Sequence, residues 1–288
     1  MSKQHPLIQP LMRDLRDAGR LRVWSLIVTI LGDVAHPRGD VLSMADLLTL
    51  TDHMEIESGA VRTALSRLSK EEWVISTKSG RTSSYAFSAG GRTTFESVAA
   101  RVYNGRYAPE PTQWVVAILP PARAKDRQAM QHVLDDASAL QTQSGIAMWP
   151  CSTAPKPGFL EQLGCLCFTG QLDHIPEWVK NDCAPPEAEA LALHFLDKYK
   201  DLANFKGALP AIDALIARVL IVHDWRRMLL RYPIVPMALQ PDQWSMPKAH
   251  AQMMTIYRGL IKPSEAHWSS PVSKKGQLIL DKRFYPES

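Results

Sequence analysis

Between Ser58 and Lys70 the apolar residues Val61, Ala64, Leu65 and Leu68 recur at i, i+3, i+4 and i+7, the spacing of one face of an α-helix. The opposite face then carries Ser58, Gly59, Arg62, Thr63, Ser66, Arg67 and Lys70, with no acid until Glu71 and Glu72. Small polar residues beside arginines let a helix lie close to the floor of a DNA major groove, where a guanidinium offers a bidentate fork to guanine O6 and N7. An amphipathic helix with an ordinary solvated side has the same pattern. Context favours the first: the turn Lys78-Ser79-Gly80-Arg81 follows closely and sets two more cations around a glycine, suited to backbone phosphates. Residues 58–106 hold eight basic residues against three acids, a balance of +5, whereas the whole 288-residue chain carries only +4. Positive charge gathered on one helix and one loop is the footprint of a phosphate-binding surface.

These side chains need a frame. Residues 22–31 are apolar enough for a buried helix, ended by Gly32-Asp33 and the turn His36-Pro37-Arg38-Gly39. Ser43 with Asp46 three residues on is a capping-box pattern that opens a short helix through Leu47, Leu48 and Leu50, and the helix from Ser58 is the third. Trp73 and Ile75, then Tyr85 and Phe87, alternate with polar residues as hairpin strands do. Ser88 precedes a further helix with the stripe Phe95, Val98, Ala99 and Val102. Three helices and a hairpin in that order predict a winged helix-turn-helix DNA-binding domain over residues 1–107.

Residues 104–111, with Gly105, Pro109 and Pro111, read as a linker. Strand-like runs at 114–119, 146–149 and 165–169 alternate with a helix bearing Ala129, Met130, Val133, Leu134 and Ala137 and a short helical piece at 159–163. That order predicts a ferredoxin-like α+β domain over 108–184, for dimerisation or effector coupling. From Pro185-Pro186 the chain reads as a helical domain, 185–288, with stripes Leu191, Phe195, Tyr199, Leu202 and Phe205, a long helix at 211–230, and a last one with Met253, Met254, Tyr257 and Leu260. The expected fold class is α+β, with effector binding or dimerisation in the last domain.

Composition excludes several classes. The longest apolar stretch, 24–31, is interrupted by Ser25 and Thr29 and is far short of the ~20 residues of a membrane-spanning helix. The N-terminus has no apolar signal region, so the expected location is cytoplasmic. Cys151, Cys165, Cys167 and Cys183 lack the paired spacing of structural zinc sites and read as buried, inert thiols rather than a metal centre. A metal-dependent nuclease on a ferredoxin-like frame needs a carboxylate near the end of its first strand, and Ala117-Ile118-Leu119-Pro120 has none. His223-Asp224 lacks the further ligands of a phosphohydrolase and reads as a histidine hydrogen-bonded within a packed helix; no glycine-rich phosphate loop or nucleophile elbow occurs. No catalytic residue, metal or cofactor is expected.

The residues Leu31-Gly32-Asp33-Val34, Pro37-Arg38-Gly39, Ala60-Val61-Arg62-Thr63-Ala64-Leu65-Ser66-Arg67-Leu68 and Glu72-Trp73, with Gly80-Arg81 and Tyr85, resemble the N-terminal signature of the PaaX family. Leu220-Ile221-Val222-His223-Asp224-Trp225-Arg226-Arg227, Tyr232-Pro233, Pro236, Leu239-Gln240-Pro241-Asp242-Gln243-Trp244 and Ile256-Tyr257 resemble its C-terminal domain. The family usually has Gly-Arg-Arg in the wing, where this chain has Gly80-Arg81-Thr82. The resemblance implies a homodimeric repressor of phenylacetate degradation operons that leaves a pseudo-palindromic operator when an aryl-CoA thioester, phenylacetyl-CoA in the best-known members, binds. A CoA thioester needs cations for its phosphates and an apolar slot for its acyl group, and Trp225, Arg226, Arg227 and Arg231 are the candidates. Equally, Trp225 could pack in the core while the arginines pair with local acids such as Asp224. A constitutive nucleic-acid-binding dimeric scaffold, indifferent to small molecules, is the alternative function. For DNA, Arg62, Thr63, Ser66 and Arg67 are the base-edge candidates beside Ser58, and Lys70, Lys78 and Arg81 the phosphate contacts.

Overall fold

Apolar residues at helical spacing among the charges of 8–17 form α1 (Ile8–Asp17), which buries Ile8, Leu11, Met12 and Leu15. The structure, a computed structural model, describes residues 4–17, 23–39, 41–80, 82–103, 110–121, 124–232, 234–268 and 280. Next, α2 (Val23–Ile30) runs without a break into a wide π-type turn, Leu31–Ala35, and a tight turn, His36–Arg38, closed by Gly39 at φ 96°. A Cβ on Gly32 would sit 2.1 Å from the Phe95 ring, so only glycine lets the two segments meet.

A short strand, β1 (Leu42–Ser43), leads into α3 (Met44–His53), capped as the sequence predicts: the Ser43 hydroxyl accepts from the Asp46 amide at 3.0 Å. Then come α4 (Ser58–Lys70), the hairpin β2 (Val74–Ser79) and β3 (Thr82–Phe87), and α5 (Ala89–Val102), whose cap Ser88 accepts from the Gly91 amide. The three strands make an antiparallel sheet in the order β1-β3-β2. This is the winged helix-turn-helix order, with a first strand the sequence reading lacked. One face is corrected. Val74, 2% exposed, faces inward opposite Phe87, whereas Ile75 is 53% exposed. Glu72 takes φ 57° and the Trp73 amide donates to the Leu68 carbonyl at 2.8 Å, so Trp73 belongs to the helix-ending turn and the pleat begins one residue later.

In the middle of the chain lie β4 (Trp114–Ile118), α6 (Ala124–Asp136), β5 (Leu140–Gln141), β6 (Ile146–Pro150), α7 (Pro157–Gln162) and β7 (Leu166–Gly170). Their sheet has the order β5-β6-β4-β7, antiparallel throughout, which is the ferredoxin-like arrangement. Ala117, Ala147 and Trp149 pack with Leu134 and Leu160 on one face, and the Trp149 indole donates to the Ala137 carbonyl. The cysteines are corrected in part. Only Cys183 is buried, its thiol pushed up to about 12 by burial; Cys151 and Cys167 are exposed.

The remaining helices are α8 (Glu177–Cys183), α9 (Pro186–Lys198), α10 (Lys200–Asn204), α11 (Ala211–Arg231) and α12 (Met246–Glu265). The chain divides into two compact units: Met1–Gly105 with His194–Arg227 and Lys248–Ser288, and Arg106–Leu193 with Met228–Pro247. Residues 185–288, expected as one domain, are therefore shared between both.

The reason lies inside the first unit. Asp33, in the π-type turn, and Arg218, on α11, form an ion pair at 2.7 Å with both side chains fully buried. Arg218 Nη2 also donates to the Asp33 carbonyl at 2.7 Å, and Tyr103 and Tyr257 donate their hydroxyls to Asp33 Oδ1 at 2.9 and 2.7 Å. Arg218 Nη1 reaches Ser264 and Glu265, and Glu265 also pairs with Arg38. Burial alone lowers the guanidinium's pKa, but Asp33, Tyr257 and Glu265 outweigh it and raise the net value. Two charges taken out of water need a close pair and further hydrogen bonds; here the tyrosine hydroxyls serve Asp33 Oδ1, the Asp33 carbonyl, Ser264 and Glu265 serve the two Nη groups, and Arg218 Nε and Asp33 Oδ2 meet in the ion pair. Arg218→Ala, which strands Asp33 without its counter-ion, should lower unfolding free energy by about 3–5 kcal/mol in urea titration; Arg227→Ala, on the exposed side of the same helix, should change it by less than about 0.5 kcal/mol.

Candidate nucleic-acid interface

Packing fixes which side of α4 is free. Val61, Ala64, Leu65 and Leu68 are buried, between 0 and 7% exposed, and Ser58, Gly59, Arg62, Thr63, Ser66, Arg67 and Lys70 are all exposed. A helix that spends one stripe on the core presents the complementary stripe to solvent along its whole length. Arg62, Thr63, Ser66, Arg67, Lys70 and Glu71 line one open, shallow depression. Arg62 has no ion pair with any described residue. The Thr63 hydroxyl donates to the Gly59 carbonyl at 2.9 Å, which leaves its oxygen able to accept. Arg67 Nε donates to Glu71 Oε1 at 2.8 Å, and its guanidinium carbon lies 5.4 Å from the centre of the Trp24 ring on α2. No acid was expected on this face before Glu71, and Glu71 proves to be joined to it.

On the wing, Lys78 is exposed at the end of β2, and Gly80 takes φ 59°, the left-handed conformation that glycine supplies to a tight turn. Arg81 lies outside the described residues. Of the eight residues expected to touch DNA, the structure thus describes seven, all exposed. Five of them gather in the α4 depression with Glu71.

The four effector candidates separate. Trp225 is 1% exposed, tilted against Phe195 and His250 with ring centres 5.8 and 5.5 Å apart. Arg226 is 9% exposed and donates Nη2 to the Ser25 carbonyl and hydroxyl at 2.8 and 2.6 Å. Both are engaged in packing α11 against its neighbours. Arg227 and Arg231 are exposed, the latter with its guanidinium over Tyr232. Asp224 pairs with neither arginine beside it: Lys198 holds it at 2.8 Å and the Tyr199 hydroxyl at 2.9 Å, and burial, which alone raises its pKa, is outweighed so that the net shift is downward.

His223 is 2% exposed, its Nδ1 3.2 Å from the Thr29 hydroxyl on α2. Burial lowers the imidazole's pKa to about 4. Among the described residues no group of three or more His, Cys, Asp and Glu could hold a metal ion, and no helix is long and apolar enough to cross a membrane.

The residues missed by the sequence reading are those of the buried network, Asp33 with Arg218 and Tyr103, and the pair Trp24 and Glu71 beside Arg67. The i, i+4 spacing of Arg67 and Glu71 was the one available signal.

Comparison with known proteins matches the same two stretches. The family model described as PaaX-like protein matches residues 22–91, and that of the PaaX-like protein C-terminal domain matches residues 186–270. The chain is 24% identical to the transcriptional repressor PaaX of Escherichia coli (strain K12) over 96% of its own length and 90% of the relative's. Among solved structures, the uncharacterized protein Rv0674 from Mycobacterium tuberculosis shares the fold with a TM-score of 0.54 at 18% identity, covering 84% of this chain and 97% of that one.

His223 should make stability sensitive to acid. The native imidazole resists protonation until about pH 4, while the unfolded chain takes up the proton near its ordinary 6.5. Its contribution is complete above pH 6.5 and is lost as pH falls toward 4, a span worth about 3 kcal/mol. In urea titrations across that range His223→Gln should flatten the curve; a slope equal to the parent's would show that other groups carry it.

Proposed function

The chain belongs to the PaaX-like protein family, and from that membership we propose that it is a transcriptional repressor that reads operator DNA through α4 and the β2–β3 wing. The observation that carries the reading is the division of α4: a buried apolar stripe, and an exposed stripe on which Arg62, Thr63, Ser66, Arg67 and Lys70 share one depression. Arg62 is a base-edge contact, with Thr63 and Ser66 small enough to let the helix approach. Lys70, Lys78 and Arg81 grip phosphates on either side.

The finer proposal is that two copies bind a pseudo-palindrome whose half-sites lie about 34 Å apart, one helical turn of DNA. An apolar surface on the central sheet supports self-association: Ile118, Leu166 and Phe168 are exposed on the face opposite the Trp149 core, and β7 is an edge strand. The operon concerns phenylacetate or a related aromatic acid, and an aryl-CoA thioester releases the protein. Arg227 and Arg231, exposed, remain candidates for the thioester's phosphates; Trp225 and Arg226, already committed to packing, fit the role poorly. As a regulator the protein works where the chromosome is, in the cytoplasm, and performs no catalysis.

Binding to duplexes selected from a random pool, followed by fluorescence anisotropy, tests the DNA reading. Arg62→Ala should cost about 1–3 kcal/mol on the selected duplex and relax preference at one base pair per half-site. Lys78→Ala should weaken every duplex alike and reduce the salt slope by about one unit. Equal losses on all duplexes for Arg62→Ala would remove its base-reading role. Phenylacetyl-CoA added to the protein and duplex should dissociate the complex where free CoA does not; a complex indifferent to both would make the protein a constitutive scaffold.

A further inference from the structure

On the outer face of α4, Arg67 differs from Arg62 in being held. Its Nε–H donates to Glu71 Oε1 at 2.8 Å, one turn further along, and the Trp24 ring lies under the guanidinium at 5.4 Å. A guanidinium has five N–H donors in one plane, and this arrangement uses only the Nε edge. No described residue takes either Nη group. Those two nitrogens can form the fork that meets guanine O6 and N7.

The Arg67–Glu71 pair stands half in solvent, its side chains 57% and 44% exposed, so it adds little to folding stability. Its effect is on freedom: a long side chain already fixed by a carboxylate and an indole loses less rotamer entropy when it docks. Glu71 also has the wrong charge for a surface that meets phosphate, yet it lines the same depression as Arg62, Thr63, Ser66 and Lys70. A carboxylate there repels DNA of every sequence, which leaves positioning as its use. We infer that Glu71 and Trp24 are positioning residues that hold the Arg67 fork for one guanine in each half-site, raising sequence discrimination while lowering affinity for DNA in general. The inference rests on α4 being the reading helix and adds which base its last arginine reads and what aims it.

The test uses the full-length protein and the duplex it selects from a random pool, with two readouts. One is the ratio of affinities for that duplex and for duplexes changed one base pair at a time; the other is affinity for an unrelated duplex. Arg67→Ala should abolish the preference for guanine at one position per half-site, a loss of roughly 5- to 150-fold. Glu71→Ala should reduce discrimination at that same position at least about threefold, against the tenfold per 1.4 kcal/mol scale, and bind the unrelated duplex more tightly. Glu71→Gln removes the same charge but keeps an acceptor for Nε, so it should strengthen unrelated binding equally and keep most of the discrimination. Trp24→Leu should lower discrimination and Trp24→Phe should retain it, with thermal melts confirming that each variant folds. The inference is overturned if Glu71→Ala and Glu71→Gln change every duplex by one common factor, or if Arg67→Ala leaves guanine preference intact. Those failures are distinct from failure of the repressor reading, in which the parent protein itself selects no sequence.

Discussion

The ion pair between Asp33 and Arg218 is the constraint on which the first unit depends. Isolated, either charge would be strongly disfavoured in a dry interior. Each is tolerated because the other is there and because two tyrosine hydroxyls, a backbone carbonyl, a serine and a second carboxylate bond to them. A π-type turn supplies the geometry: its wider loop brings the Asp33 carbonyl and carboxylate to the same guanidinium. Apolar packing alone tolerates sliding, whereas a directional buried polar network favours one register among the π-type turn, the end of α5, α11 and α12.

That register reaches α4 through α2. Thr29 and Ser25 on α2 hold His223 and Arg226 of α11, and the same helix carries Trp24, over which Arg67 lies. The helix that packs the C-terminal segments therefore also sets the floor beneath an arginine of the exposed face. Two kinds of arginine result. Arg218 and Arg226 are structural, their donors turned to carbonyls, hydroxyls and carboxylates inside; Arg62 and Arg67 face water. Sequence position on a helix, rather than residue type, separates the two roles.

Local features were legible in the sequence because their causes are local. The stripe Val61, Ala64, Leu65 and Leu68 named the buried face of α4, and hence its exposed one; Ser43 and Ser88 marked helix starts through the backbone amides they accept from. The hairpin was recognised but its first strand assigned the wrong face, since the positive φ of Glu72 that shifts the pleat is a turn property, invisible to an alternation count. The first helix, Ile8–Asp17, is hard to read because its buried Ile8, Leu11, Met12 and Leu15 are interleaved with Arg13, Asp14, Arg16 and Asp17. What resisted altogether was long-range: nothing in the string of residues joins Asp33 to Arg218, 185 positions apart, or tells a core tryptophan at 225 from one lining a ligand slot. The division of the last hundred residues between two units follows from the same distant contacts.

Distance along the chain also sets an order in time. The helices and wing of the N-terminal domain leave the ribosome long before Arg218 is made, and at roughly 5–20 residues per second the Asp33 carboxylate waits about 10–40 s for its counter-ion. Through that interval the nascent N-terminal portion lacks the cation that offsets burial of this carboxylate, which must stay hydrated or take up a proton. A gene fragment ending near Gly105 would keep the Tyr103 hydroxyl beside Asp33 but lack Arg218 and Tyr257, so the surroundings of that carboxylate are completed only by the far end of its own message.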